Sequence, residues 1–94
     1  MIEKEIEDEI VKYAESEGGL CVKLEIKGER GWPDRTLLFP GGVIAFVEVK
    51  TPTGKLKHQQ VYWITVLRKL GFYAEVIRSL DEAVDFIKYL RETS

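Results

Sequence analysis

The chain has 94 residues, 45% hydrophobic and 32% charged, the balance of one globular domain spanning 1–94 rather than a disordered segment. No apolar run approaches the roughly 18–20 residues of a membrane span, the acidic start lacks a signal-peptide core, and a single cysteine, Cys21, excludes a disulfide framework or Cys-based zinc site; a cytoplasmic protein without membrane partners is expected. The net charge of −2 hides an asymmetry: residues 1–17 hold seven acids and two bases, residues 18–94 hold nine acids and twelve bases, and 49–74 contain no acid, so a local basic patch can draw phosphate to an acidic chain.

Ile2, Ile6, Ile10, Tyr13 and Ala14 recur at helical spacing and predict a helix over 2–17, ended by Gly18-Gly19. Leu20, Val22, Leu24 and Ile26 alternate with Cys21, Lys23 and Glu25 and predict a strand over 20–26. A polar loop covers 27–32. Two strands, 33–39 and 43–50, flank the hairpin signal Pro40-Gly41-Gly42, and 51–54 is a turn. A helix is expected from about Leu56 to Leu70, with Leu56, Trp63, Val66, Leu67 and Leu70 as its apolar stripe and Gly71 as its cap. A short strand over 72–77 follows. Ser79 then caps a last helix carrying Leu80, Ala83, Val84, Ile87 and Leu90. This order, α-β-β-β-α-β-α, implies a mixed central sheet flanked by helices. The helical crossover lets the third and fourth strands run parallel.

With Gly41 at the centre of the hairpin, Phe39 faces Val43 and Asp34 faces Glu48. Alternation puts Asp34, Glu48 and Lys50 on one face. Two opposed carboxylates need a positive partner or a proton. Lys50 is one candidate partner and a divalent cation such as Mg²⁺ is the other. The same residues also fit the solvated end of a strand, and the pattern alone does not separate the two.

Pro33-Asp34, then thirteen residues, then Glu48-Val49-Lys50 resembles the PD-(D/E)XK motif of restriction-endonuclease-like nucleases. The αβββαβ order matches that fold, with a C-terminal helix added. Ile6-Glu7, Gly31-Trp32-Pro33-Asp34, the stretch Glu48 to Leu56, and Gln60 three residues before Trp63 resemble one branch, the virus-type replication-repair nuclease (VRR-NUC) domains, over almost the whole chain. The resemblance implies a stand-alone, Mg²⁺- or Mn²⁺-dependent DNA endonuclease of a bacterial cell or phage-infected host. In it Asp34, Glu48, the Val49 carbonyl and Glu7 would hold metal, Lys50 would orient or polarise water, and Gln60 would position Lys50, water or phosphate. A non-catalytic nucleic-acid module, or a nuclease for flapped DNA or RNA, are the alternatives.

Glu3, one helical turn before Glu7, is the rival for the last acid position. Gln60 lies beside the apolar stripe and Gln59 at the opposite edge. Lys55, Lys57, Lys27, Arg30 and Arg35, read as flanking loop residues, are expected to touch the phosphate backbone, with His58 among them. Lys23 fits either the active-site face or a plain surface. Trp32 fits a lid, a DNA contact or the core, and Trp63 and Cys21 read as packing residues. Val61, Tyr62, Thr65 and Tyr89 point off the core stripes, with Phe86 at the flank, and suggest a homodimer acting on branched DNA such as a four-way junction.

Overall fold

The structure is a computed structural model and describes residues 2–93. Helix α1 (Glu3–Ser16) buries Ile6, Ile10 and Ala14, residues four apart on one stripe, and carries Glu3 and Glu5 in its first turn, where they complement the helix dipole. Four strands follow the order β1 (Leu20–Val22), β2 (Arg35–Phe39), β3 (Val43–Val49) and β4 (Tyr73–Ile77) across one sheet. Helix α2 (His58–Lys69) connects β3 to β4, and α3 (Leu80–Thr93) ends the chain, with the Ser79 hydroxyl accepting from Glu82 N–H.

The β2–β3 hairpin has the expected register, from Phe39↔Val43 to Arg35↔Val47. β4 lies parallel to β3, and Lys50 N–H, just beyond β3, donates to Ile77 O. β1 is shorter than the alternation predicts. Its register against β2 would place Lys23 opposite Arg35 and Leu24 opposite Asp34. Like charges oppose at the first of these positions. Beyond it Pro33 has no N–H to give. Residues 23–26 therefore leave the ladder, and Leu24 and Ile26 are exposed. Within β1 the inward residue is Cys21, 7% exposed, while Leu20 is 54% exposed.

Parity sorts the two faces. Cys21, Leu37, Phe39, Ala45, Val47, Val49 and Ile77 pack with Ile6, Ile10 and Ala14 of α1 and Ala83, Ile87 and Leu90 of α3. Each fully buried aliphatic side chain there contributes about 1.5–3 kcal/mol. On the other face Phe46 and Ala74 meet Ile64 and Leu67 of α2, with Trp32, Leu56 and Val76 at the margin. The α2 stripe thus includes Ile64, and Leu70 is exposed because it sits at the C-cap, where the chain turns through Gly71.

α2 leaves one end of its face uncovered. Leu20, Leu38 and Ile44 lie in one cross-strand row there, and Phe72 precedes the Tyr73 that pairs with Ala45. Leu20, Ile44 and Phe72 are all exposed. Val61, Tyr62 and Tyr89 are exposed too, but Tyr62 is on α2 while Tyr89 packs its ring edge against Tyr73 from α3, on the opposite face of the sheet. Phe86 packs against the α1/α3 core.

Candidate active site

The residue before β2 and the end of β3 meet on the α2 face, at the end of the sheet away from the hairpin turn. Glu48 is 2% exposed and Lys50 8%, both at the end of a strand that is otherwise apolar. Asp34 stands one residue before β2, opposite Glu48 when the β2–β3 register is extended by one pair, and its Oδ2 accepts from Val49 N–H at 2.8 Å. From above, Gln60 of α2 donates Nε2–H to Glu48 Oε2 at 3.0 Å and accepts from Lys57 N–H at 2.8 Å. The same glutamine therefore starts the helix and reaches the carboxylate. The Val49 side chain belongs to the α1/α3 core, while its main chain is tied to Asp34.

Electrostatics follow from this crowding. Burial pushes the Glu48 carboxyl up to about 8, and the Asp34 charge and a hydrogen bond shared with Asp34 push in the same direction. Lys50 pulls it back, and Glu3 adds a little to the rise. At neutral pH Glu48 therefore keeps its proton unless a further positive charge arrives. Hard carboxylate oxygens are the donors that Mg²⁺ and Mn²⁺ take, and Mg²⁺ commonly uses one or two of them and leaves its other positions to water and phosphate. Asp34 and Glu48 fit such an ion. Among the described residues no third acid or histidine joins them in a cluster.

The model of the VRR-NUC domain matches residues 4–81. The chain belongs to the VRR-NUC family. Its sequence is 39% identical over 79 residues to "Putative nuclease p44" of Acyrthosiphon pisum secondary endosymbiont phage 1, covering 80% of this chain and 85% of that protein. A solved structure titled as a VRR-NUC domain superposes with a TM-score of 0.85 at 32% identity, over 92% of this chain and 94% of the other. A second, titled as a VRR-NUC domain protein, gives 0.73 at 16% identity, over 98% and 89%, and at that identity it bears on the fold alone. VRR-NUC nucleases are in general metal-dependent, which agrees with the acid pair.

In this VRR-NUC chain Glu7 is not gathered with the acid pair. Its Oε1 accepts from Arg35 Nε at 2.6 Å, and both side chains are largely buried. Arg35 also donates to Cys21 O at 3.3 Å. Arg35 is therefore a strand residue, not a loop residue, and alternation turns it to the α1 face, away from Asp34. Its guanidinium is committed to Glu7 rather than open to phosphate. Glu3, by contrast, is near enough for its charge to act on Glu48. The Cys21 thiol is pushed up to about 11, mainly by burial, so it stays protonated and inert at neutral pH.

Lys27, Arg30, Lys55, Lys57 and His58 are exposed, and among the described residues none is ion-paired. Trp32 packs edge-on to Phe46 and Trp63, and so supports the site instead of covering it. Lys23 shares a cleft with Trp32, Pro33 and Asp34. One residue escaped the sequence reading. Arg78, just after β4, donates from Nη1 to the carbonyls of Thr51 and Gly54, and so clamps the turn that follows Lys50. The available signal was topological: parallel strands end together, so a base just past β4 arrives beside the end of β3. No helix among the described residues is long and apolar enough to cross a membrane.

Proposed function

We propose that this VRR-NUC domain is a Mg²⁺- or Mn²⁺-dependent endonuclease that hydrolyses DNA phosphodiester bonds and prefers branched DNA such as four-way junctions. The observation that carries this reading is the placing of Asp34 and a buried Glu48 together beside Lys50, with Gln60 on Glu48 and Val49 N–H on Asp34. Asp34, Glu48 and the Val49 carbonyl would hold the ion, with Glu3, not the ion-paired Glu7, as the acid available from α1. A divalent ion at such a site activates water and offsets the charge that builds on phosphate. Lys50 orients the attacking water and stabilises the pentavalent phosphate oxygens with its ammonium charge. Gln60, through its bond to Glu48, fixes which carboxylate oxygen is free to act. The Arg78 clamp holds the 51–54 turn, and Lys55 and Lys57, which follow that turn, would meet the DNA backbone.

Pairing of two copies accompanies this reading. The row of exposed Leu20, half-buried Leu38 and exposed Ile44, with Phe72 beside it, is an apolar surface of the kind that association covers. A two-fold dimer would offer two active sites to one branched DNA. The test is incubation of the full chain with labelled linear, flapped and four-way DNA, with and without Mg²⁺ or Mn²⁺, alongside sedimentation. Paired cuts in the four-way DNA, dependent on the ion and made by a dimer, are expected. Failure to cut any DNA in either ion would leave a binding module in place of a nuclease.

A further inference from the structure

Beside the active site, on another side of the first turns of α2, lies a groove of about 370 Å³ that the acid pair does not use. Its volume falls among the smaller clefts that take organic ligands, roughly 300–1,000 Å³. The loop before Trp32 forms one wall and α2 the other. Two contacts join these walls. Trp63 Nε1–H donates to Arg30 O at 3.0 Å, and Gly31 presses so closely on the helix that a Cβ there would lie 2.5 Å from the Gln59 carbonyl carbon. Gly31 has φ +83°, so its freedom from a side chain is needed twice over.

Tyr62 opens into this groove with 56% of its surface exposed. Its ring stands edge-on to Trp63, which stands edge-on to Trp32, which stands edge-on to Phe46 in the sheet. The outermost ring is thus braced by a column of aromatic rings reaching the core. A ring held in this way can stack on a ligand with little further loss of side-chain freedom. Arg30 and His58 line the groove, and α2 carries no acid in any of its turns; Glu29 is the one acid in the lining. A fixed aromatic face beside a guanidinium and an imidazole N–H donor is the chemistry that binds single-stranded nucleic acid, where an unpaired base stacks and its phosphate meets these donors. Paired bases inside a duplex do not offer that face.

We propose that this groove is a subsite for an unpaired nucleobase of the substrate strand, stacked on Tyr62, with its phosphate at Arg30 and His58. The proposal rests on the nucleic-acid reading above and narrows it: the favoured substrate has a single-stranded nucleotide near the cut, as at a flap or an open branch point. A helix with its side chains is about 10–12 Å across. Gln60 touches Glu48 from one side of α2 and Tyr62 opens on another, so the groove lies within a few nucleotides of the acid pair.

The test uses the full chain in Ca²⁺ and two labelled probes of equal length and charge, a short oligothymidylate and an abasic strand. Wild-type protein should prefer the oligothymidylate, with a change in the fluorescence of the Trp32–Trp63 pair. Tyr62→Ala should remove that preference, weakening oligothymidylate binding roughly 5- to 150-fold, the range of one base–aromatic stack. Binding of the abasic strand should be unchanged, and Tyr62→Phe should restore the preference. Equal binding of the two probes by wild-type protein overturns the subsite, as does a Tyr62→Ala protein that keeps the preference. If Tyr62→Ala instead converts a dimer to a monomer without altering the preference, the groove is an interface between copies and the proposal falls. A separate Mn²⁺ cleavage assay of wild-type protein keeps the two readings apart: no cutting with the base preference intact defeats the nuclease and leaves the subsite standing.

Discussion

The two faces of the sheet are built from the same strands by alternation, yet they differ in kind. The α1/α3 face is closed: thirteen buried residues form one core. The α2 face is divided along its length. At one end it holds Asp34, Glu48, Lys50 and Gln60, in the middle a small cluster around Phe46, and at the other an uncovered apolar row. The closed face supplies the free energy that lets the divided face keep two opposed acids and a buried lysine. The candidate site thus sits where the packing is incomplete, and its polar groups can turn to a ligand without dismantling the core.

The largest effects should come from the divided face and be read in catalysis. Asp34→Asn, Glu48→Gln and Lys50→Ala should each lower cleavage by about 10²-fold or more, with the fold intact by circular dichroism. Calorimetry should show weaker metal binding for the two carboxylate changes and a smaller loss for Lys50→Ala. A variant that keeps full activity removes its residue from the proposed chemistry. The closed face should show the reverse. Ile87→Ala should destabilise the chain by about 2–5 kcal/mol in urea unfolding, because it opens a cavity in a filled core. The specific activity of the fraction that remains folded should stay near that of the wild type.

The comparison sharpens with pH. In chelator, Glu48 holds its proton in the folded chain up to about pH 8, while an ordinary carboxyl in the unfolded chain releases it near 4.5. Between these values the folded state binds more protons than the unfolded one, so stability should fall as pH rises from about 4.5 to 8. Glu48→Gln should flatten that slope. A metal-free wild type whose melting temperature rises across this window would show that Glu48 is ionised in the fold. Smallest of all, Leu20→Ser should change monomer stability by no more than about 0.5 kcal/mol, since its side chain is largely exposed. If the row pairs two copies, sedimentation should register the same change as a shift toward monomer.

These contrasts also explain what could be read from the chain alone. The Asp34–Glu48 pairing was legible because a tight turn fixes the register and alternation does the rest. The mixed sheet followed from the order of the elements, and the family from the resemblance of several short motifs along the chain. The length of β1 was not legible, since it depends on which groups Pro33 and Arg35 present to the neighbouring strand. The Glu7–Arg35 ion pair joins residues 28 positions apart from a helix and a strand, and neither local pattern names the other. The row of Leu20, Leu38 and Ile44 alternates like any core strand. Only the placement of α2, which stops short of it, leaves Leu20 and Ile44 exposed.

The parallel pairing of β3 with β4 has a consequence for the order in which the chain assembles. β2 and β3 close through residues 40–42, a short loop that forms early. β4 can join only after residues 50–72 have been brought round, including all of α2, and that closure is slower. Asp34 and Glu48 thus come to face each other first, while Gln60, the Arg78 clamp and the Lys50–Ile77 bond arrive later. A nascent chain that has not yet released residues 73–78 carries both acids but lacks the frame that aims Lys50. If these residues carry the cleavage, it should begin only once β4 has joined the sheet.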